Sequence, residues 1–165
     1  MDNSSLTNRS KEVLSPVIGR FCELEIDKGY GCHLYTKDGK AILDFASGIA
    51  VTSTGHCHPS VVDAIQQQAA KLIHPCIGMG FYEPATQLAE KLVSITGDRS
   101  VFFSQSGSEA VETAIKLARY VTKRKKIVAF EGGFHGRTYG ALSLTTSKRK
   151  YWEGYGKLLD DIDFF

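Results

Sequence analysis

The stretch from Val101 to Thr146, which decides the fold, reads VFFSQSGSEAVETAIKLARYVTKRKKIVAFEGGFHGRTYGALSLTT. A short apolar run, Val101–Phe103, predicts a strand. A polar turn at residues 104–108 follows it, and a helix with an apolar stripe begins there. This order predicts a phosphate site, because the amides of a first helical turn lack partners in the helix and lie at the positive end of its dipole. The simpler alternative, a serine-rich cap on an ordinary helix, stays open at this point.

The second half of the stretch has the same order of strand and loop. Residues 126–130 form a short β-like run, which two glycines end. Phe134, His135 and Arg137 then place an aromatic ring, an imidazole and a guanidinium on one loop. Open α/β sheets bind ligands outside the carboxyl ends of their strands. We therefore predict that this loop carries a ring for stacking and a group that binds a carboxylate.

Other chemistries fit the stretch less well. No Gly-Lys-Ser/Thr follows the glycine turn, and the dinucleotide fingerprint G-x-G-x-x-G is missing. A serine hydrolase built on Ser106 and His135 would lack both a nucleophile elbow and an aspartate at a recognisable position. Two histidines flank Cys57, but three adjacent residues converge poorly on one ion, so we predict no metal site.

Composition describes an ordinary globular chain. Its 165 residues fit one domain, and 42% hydrophobic with 23% charged residues is typical of soluble proteins. A net charge of +2 predicts attraction to neither nucleic acid nor membranes. Apolar runs are far shorter than the roughly 20 residues that span a bilayer, and the polar N-terminus predicts no secretory signal. Four cysteines without C-x-x-C spacing favour a cytoplasmic protein with reduced thiols.

Upstream of the stretch, residues 1–20 are weakly patterned and predict an arm that lies on another part of the protein. Asp38-Gly39 between β-like runs is a hairpin signal, so we predict an antiparallel meander followed by a small-residue loop. The predicted strands are Cys22–Ile26, Cys32–Thr36 and Ala41–Phe45, the loop is Ala46–Ala50, and the predicted helices are Ser60–Leu72 and Pro84–Gly97.

The motif SGSEAVETAIKLAR followed by FEGGFHGRT closely resembles the class III aminotransferases, the ω-amino-acid group of fold type I enzymes that use pyridoxal 5′-phosphate (PLP). LDFASGIAVTSTGHCHP, HPCIGMGFYEP and LAEKLV match this family in the same order. The resemblance implies an α/β fold: the N-terminal part of a fold type I transferase, with a small antiparallel meander and the start of a large mixed-sheet domain. It places the arm and meander in residues 1–50 and the first part of the PLP-binding domain in residues 51–165.

The same resemblance assigns roles to residues of the chain. Gly107 and Ser108 match the phosphate-binding pair, with Ser106 as a weaker candidate nearby. Phe134 matches the aromatic residue that stacks on the pyridine ring. The resemblance implies two substrate contacts, a carboxylate bound by Arg137 and an amino donor facing Ile49. His135 lies beside the ring in relatives.

In the family, the Schiff-base lysine and the aspartate that pairs with the pyridine nitrogen come from later strands. No lysine of this chain matches, including Lys116, Lys126 and Lys148. We therefore expect an N-terminal fragment of a longer enzyme, inactive alone. Residues 147–165 match the family poorly.

The implied reaction moves an amino group from an ω-amino acid to a keto acid such as 2-oxoglutarate. The context of Val111 favours a 4-aminobutyrate-type donor. An acetylornithine or ornithine type stays open, as does a non-catalytic remnant that binds the cofactor. The implied assembly is a homodimer, with residues 74–82 at its interface.

Overall fold

A computed structural model describes residues 5–97 and 100–165. The chain divides into two compact units, residues 1–80 and 81–165, which are described separately. The first four residues of the predicted arm lie outside the described residues. The division predicted at residue 50 concerns the domains of relatives and stays a prediction. No helix in the described ranges is long and apolar enough to cross a membrane.

The first unit begins with helix α1 (Leu6–Val13), which the weak sequence pattern did not predict. The helix is capped by Ser5, whose Oγ accepts a hydrogen bond from the Asn8 amide at 3.2 Å. The Thr7 amide donates to Glu25 Oε1 at 2.8 Å, which holds the helix against the segment before the sheet. No residue of α1 is buried. A second contact is the ion pair between Lys11 and Glu23, at 2.6 Å. Capping and these two polar contacts therefore hold a helix that has no buried apolar face.

The predicted antiparallel meander is confirmed as a sheet with strand order β1-β2-β3. Its strands are β1 (Ile26–Tyr30), β2 (His33–Thr36) and β3 (Ala41–Leu43). The first strand was predicted about four residues too early. Tyr30 pairs with His33 across the two-residue turn at Gly31 and Cys32, so the residues just before that turn form the strand. The turn predicted at Gly39 is confirmed, with its amide donating to the Thr36 carbonyl at 2.9 Å.

Two further elements complete the first unit. The predicted small-residue loop contains α2 (Ser47–Ala50), a single helical turn with positive φ angles. The predicted helix that follows is confirmed as α3 (Pro59–Lys71), with Pro59 as its first residue. Its apolar face is largely exposed, and Ile65 keeps 62% of its surface accessible.

The second unit contains α4 (Glu83–Thr96), α5 (Gly107–Thr122), β4 (Ile127–Ala129), α6 (Tyr139–Ser143), a 3₁₀ turn η1 (Arg149–Tyr151) and β5 (Ile162–Phe164). Gly97 ends α4 in the left-handed region, as predicted. Strands β4 and β5 pair in parallel, with Ile127 opposite Ile162. The sequence analysis did not predict β5, which is defined by its pairing with β4. The strand predicted at Val101–Phe103 is not formed, since no strand among the described residues lies beside it.

The core of the second unit lies between α5, β4 and the end of α6. Ile115, Ala129 and Leu144 are buried together, and the partly buried residues packed around them are Val111, Ile127 and Ile162. Only one side of the predicted apolar stripe of α5 is used in this way. Leu117 and Val121, on the other side, are 60% and 66% exposed.

Candidate functional site

The N-terminus of α5 has the features of an anion site. Ser106 caps the helix, and its Oγ accepts a hydrogen bond from the Glu109 amide at 3.3 Å. Glu109 Oε2 accepts from the Gln105 amide at 2.7 Å. The amides of Gly107 and Ser108 donate to no acceptor within the described part of the chain. Apart from its chain neighbours and the backbone of its own helix, nothing lies within 4 Å of the position that a Cβ on Gly107 would take.

The loop after β4 lies directly against this helix end. The Arg137 amide donates to Ser108 Oγ at 3.4 Å. Gly136 has φ of +136°, and a Cβ there would overlap Ser108 Oγ and the Ala141 side chain. The absence of a side chain at Gly136 therefore permits this close approach. Because Ser108 Oγ accepts from Arg137, its own hydroxyl proton is free to donate to an anion.

Thr145 fixes the backbone of the same loop. Its side chain is buried, with 2% of the residue exposed. Thr145 Oγ1 accepts from the His135 amide at 3.0 Å. The hydroxyl lies within donating distance of the Gly136 carbonyl at 3.1 Å and the Ala141 carbonyl at 3.0 Å. One side chain therefore holds the segment between Phe134 and Arg137 to α6.

Glu112 joins α5 to the first turn of α6. Its Oε1 accepts hydrogen bonds from Thr138 Oγ1 at 2.6 Å, the Gly140 amide at 2.8 Å and the Ala141 amide at 3.2 Å. The Thr138 hydroxyl, followed by the amides of Ala141 and Gly140, holds the pKa of Glu112 below its ordinary value. A Cβ on Gly140 would overlap the carboxyl group, so this position also needs glycine. Glu112 thereby positions the residue that follows Arg137.

The ring of Phe134 and the guanidinium group of Arg137 both belong to exposed residues. Phe134 is 54% exposed, and its ring meets Tyr151 edge-on, with ring centroids 5.4 Å apart at 66°. Arg137 is exposed and forms no salt bridge with any residue that the structure describes. Gly107, Ser108, Phe134 and Arg137 thus lie on two neighbouring segments of one unit.

Ile49 belongs to the first unit and has an unusual backbone. Ser47, Gly48, Ile49 and Ala50 have φ of 46°, 62°, 63° and 63°, which makes α2 a left-handed turn. Left-handed helical geometry costs an L-residue about 1–2 kcal/mol, and here only one of the four is glycine. Ile49 is 82% exposed, so packing of its own side chain does not explain the conformation. Strain of this kind is concentrated at functional sites.

No group of three or more histidine, cysteine, aspartate or glutamate side chains could hold a metal ion in the described ranges. His56, beside Cys57, instead pairs with Asp44.

Sequence reasoning missed three residues that hold the candidate site together: Glu112, Thr145 and Tyr151. Glu112 carries only a general signal in the sequence, because an acidic side chain near a helix N-terminus is favoured by the helix dipole. Thr145 follows the apolar Leu144 directly, and a polar residue that is buried must find a hydrogen-bond partner. Tyr151 carries no local signal, because its contact with Phe134 depends on the path of the tail.

A helix N-terminus whose first two amides have no acceptor among the described residues lies beside a loop that carries an aromatic ring and an arginine, in an α/β unit with a parallel strand pair. Comparison with solved structures supports the fold. A transaminase from the marine bacterium Virgibacillus matches with a TM-score of 0.86 and 26% identity, over 98% of this chain and 40% of that chain. An ornithine aminotransferase from Toxoplasma gondii, described with partial occupancy of PLP at its active site, matches with a TM-score of 0.86 over 96% and 38% of the two chains. At 22% identity, this second match concerns the fold alone.

The family profile "Aminotransferase class-III" matches residues 17–165, and the chain belongs to this family. It is 45% identical over 139 residues to an acetylornithine aminotransferase of Archaeoglobus fulgidus, covering 84% of this chain and 36% of the relative. It is 42% identical over 138 residues to a probable 4-aminobutyrate aminotransferase of Bacillus subtilis, covering 82% and 32%. The chain thus spans about a third of the length of these curated relatives. The predicted family and fold class are confirmed.

Proposed function

We propose that this chain supplies the phosphate- and ring-binding part of a PLP-dependent aminotransferase. The enzyme would move an amino group from an ω-amino acid to a keto acid such as 2-oxoglutarate. One observation carries the proposal: the amides of Gly107 and Ser108, which have no acceptor among the described residues, belong to a helix N-terminus that is hydrogen-bonded to the loop from Phe134 to Arg137. Family membership makes PLP the cofactor that this arrangement is expected to hold.

The residues present fit the parts of that cofactor. The two amides and the Ser108 hydroxyl would donate to the phosphate, and the dipole of α5 favours its negative charge. The exposed ring of Phe134 would stack on the pyridine ring, with Tyr151 limiting its rotation. The planar guanidinium of Arg137 suits a substrate carboxylate. When bound, PLP supplies an electron sink for the carbanion formed at the amino donor.

For the amino donor we propose a 4-aminobutyrate-like compound, with Ile49 facing it and Arg137 binding its carboxylate. An acetylornithine or ornithine type is the second candidate, because the relative from Archaeoglobus fulgidus carries the former name. A homodimer in the cytoplasm completes the proposal. A direct comparison of the two donors, using saturation-transfer NMR on the PLP-loaded chain, tests this choice.

No lysine of this chain is proposed to bind the cofactor covalently. Lys126, at the start of β4, lies 2.7 Å from Asp163, whose hydrogen bond and charge raise the pKa of the lysine. A raised pKa keeps the amine protonated, so it is a poor nucleophile at neutral pH. Lys116 lies on an exposed face of α5. We expect the isolated chain to give no transamination, and measurable turnover would overturn this part of the proposal.

The phosphate assignment is tested by comparing PLP with pyridoxal, which lacks the phosphate. Ser108→Leu removes the hydroxyl and blocks the approach, so PLP binding should weaken about tenfold or more, or about 1.4 kcal/mol. Pyridoxal binding should change much less. Ser94→Leu, on an exposed position of α4, is the matched control. Equal loss for both ligands, or unchanged PLP binding in Ser108→Leu, would contradict the assignment.

A further inference from the structure

The left-handed turn α2 is held by one carboxylate. Asp44 Oδ1 accepts hydrogen bonds from the amides of Ala46 and Ser47, both at 2.9 Å. Its second oxygen, Oδ2, lies 2.7 Å from His56 Nε2. The Asp44 side chain is 7% exposed and that of His56 is 19% exposed, so the pair is largely shielded from water. The two oxygens thus connect the start of the turn to His56, which lies twelve positions after Asp44.

His56 is itself fixed by the hairpin between β1 and β2. Its amide donates to the Gly31 carbonyl at 2.7 Å, and its carbonyl accepts from the Gly31 amide at 3.0 Å. A Cβ on Gly29 would lie 2.7 Å from His56 Cγ, so the imidazole lies directly on this glycine. The ring therefore has a fixed position on the sheet, from which Nε2 reaches Asp44.

We propose that Asp44 and His56 are positioning residues that transmit the rigidity of the meander to the turn α2, and thereby fix the direction of Ile49. The strain in the turn supports this inference. Three residues other than glycine hold positive φ there, and such a conformation persists only where its surroundings determine it. The amides of Ala46 and Ser47 are the groups through which Asp44 determines the turn. Only the role of Ile49 toward the amino donor rests on the proposed function.

Amide hydrogen exchange of the 165-residue chain, followed by NMR, tests the pair without any cofactor. In Asp44→Ala the amides of Ala46 and Ser47 should exchange at least tenfold faster, whereas the ladder amides of β2 should keep their rates. Asp44→Asn retains an acceptor oxygen and should restore part of the protection. Asp38→Ala, at the other turn of the same sheet, is the matched control and should leave both amides unchanged.

A second variant tests the position of the His56 ring by changing Gly29, on which the ring lies. Gly29→Ala should displace the imidazole, shift the His56 ring nitrogen signals and speed exchange at Ser47. Gly19→Ala, where nothing lies within 4 Å of the new methyl group, should do neither. Unprotected Ala46 and Ser47 amides in the wild-type chain would overturn the proposal, as would equal rates in Asp44→Ala and the wild type. Because no cofactor is added, failure of the proposed transaminase function leaves these outcomes unaffected.

Discussion

Replacement of Glu112 tests whether this partly buried carboxylate fixes the loop that carries Arg137. Glu112→Gln keeps an acceptor oxygen but removes the charge, whereas Glu112→Ala removes the acceptor. Both changes act on the amides of Gly140 and Ala141, which donate to Oε1 at 2.8 and 3.2 Å. Their exchange with solvent therefore reports the contact directly.

The expected magnitudes follow from the kind of hydrogen bond lost. A bond to a charged group contributes about 1.5–3 kcal/mol, and one between neutral groups contributes about 0.5–1.5 kcal/mol. Glu112→Gln should therefore cost about 1 kcal/mol at each amide, or roughly fivefold faster exchange. Glu112→Ala should cost about 1.5–3 kcal/mol, or roughly 13-fold to 160-fold faster exchange. Values near the lower end are expected, because Glu112 is only partly buried and water can replace part of the interaction.

Hydrogen exchange with mass spectrometry on peptides that cover residues 138–145 measures these changes. Glu109→Gln is the matched control, since Glu109 lies on the same helix and its side chain accepts, among the described residues, only from the Gln105 amide. It should leave the exchange of Gly140 and Ala141 unchanged. If the exchange rates of Gly140 and Ala141 in Glu112→Ala stayed within twofold of the wild type, Glu112 would not fix the loop. An equal effect of Glu109→Gln would contradict the assignment as well.

The pH dependence of the same signal has a definite sign. The pKa of Glu112 is lowered from its ordinary value of 4.5, chiefly by the Thr138 hydroxyl. A carboxyl group with a depressed folded-state pKa contributes stability above its unfolded pKa and loses it as the pH falls through the folded pKa. After correction for intrinsic exchange, wild-type protection should be constant at neutral pH and fall below pH 4.5 toward that of Glu112→Gln. Protection that rises on acidification would contradict this assignment.

Two other substitutions test the support of the loop by Thr145 and the proposed substrate contact of Arg137. Thr145→Val leaves the His135 amide without its acceptor and should cost about 1–3 kcal/mol. In this variant the ring-current shifts between Phe134 and Tyr151 should shrink. The control Thr86→Val, at an exposed position of α4, should leave these shifts intact. Unchanged shifts in Thr145→Val would argue that Thr145 does not hold the loop. Arg137→Lys keeps the charge but loses the bidentate fork. The affinity of Arg137→Lys for 4-aminobutyrate, measured by saturation-transfer NMR, should be about tenfold lower than that of the wild type, while its affinity for PLP should not change. Equal affinities of the variant and the wild type for 4-aminobutyrate would make Arg137 a simple surface residue.

Periodicity and turn chemistry predicted the elements that have strong local signals. The two long helices of residues 59–96, the Asp38-Gly39 turn and β4 were found because their signals lie within a few residues. The family and fold class came from separated motifs in a fixed order. Strand pairing was harder, because a pairing partner is a non-local property. The register of β1 is determined by its pairing with β2, and the residues of Val101–Phe103 remain without a strand partner in the described ranges.

The candidate site was predicted only in part for the same physical reason. Gly107, Ser108, Phe134, Arg137 and Ile49 stand in recognisable motifs, and their binding roles stay predictions. Their supports are identified by contacts between segments far apart in sequence. Glu112 reaches residues 26 to 29 positions away. No periodicity or spacing rule encodes such a contact.

The geometry around both candidate regions depends more on polar contacts than on apolar packing. Only five apolar residues are buried in the described chain: Ile115, Ala129, Ala141, Leu142 and Leu144. The turn that carries Ile49 is held by Asp44, and the loop that carries Arg137 is held by Glu112 and Thr145. Hydrogen bonds are directional, and a buried donor that loses its acceptor is costly, so each contact selects one backbone conformation. Changes to these three side chains should therefore disturb the site locally, whereas trimming an exposed apolar residue such as Ile65 should leave it unaffected.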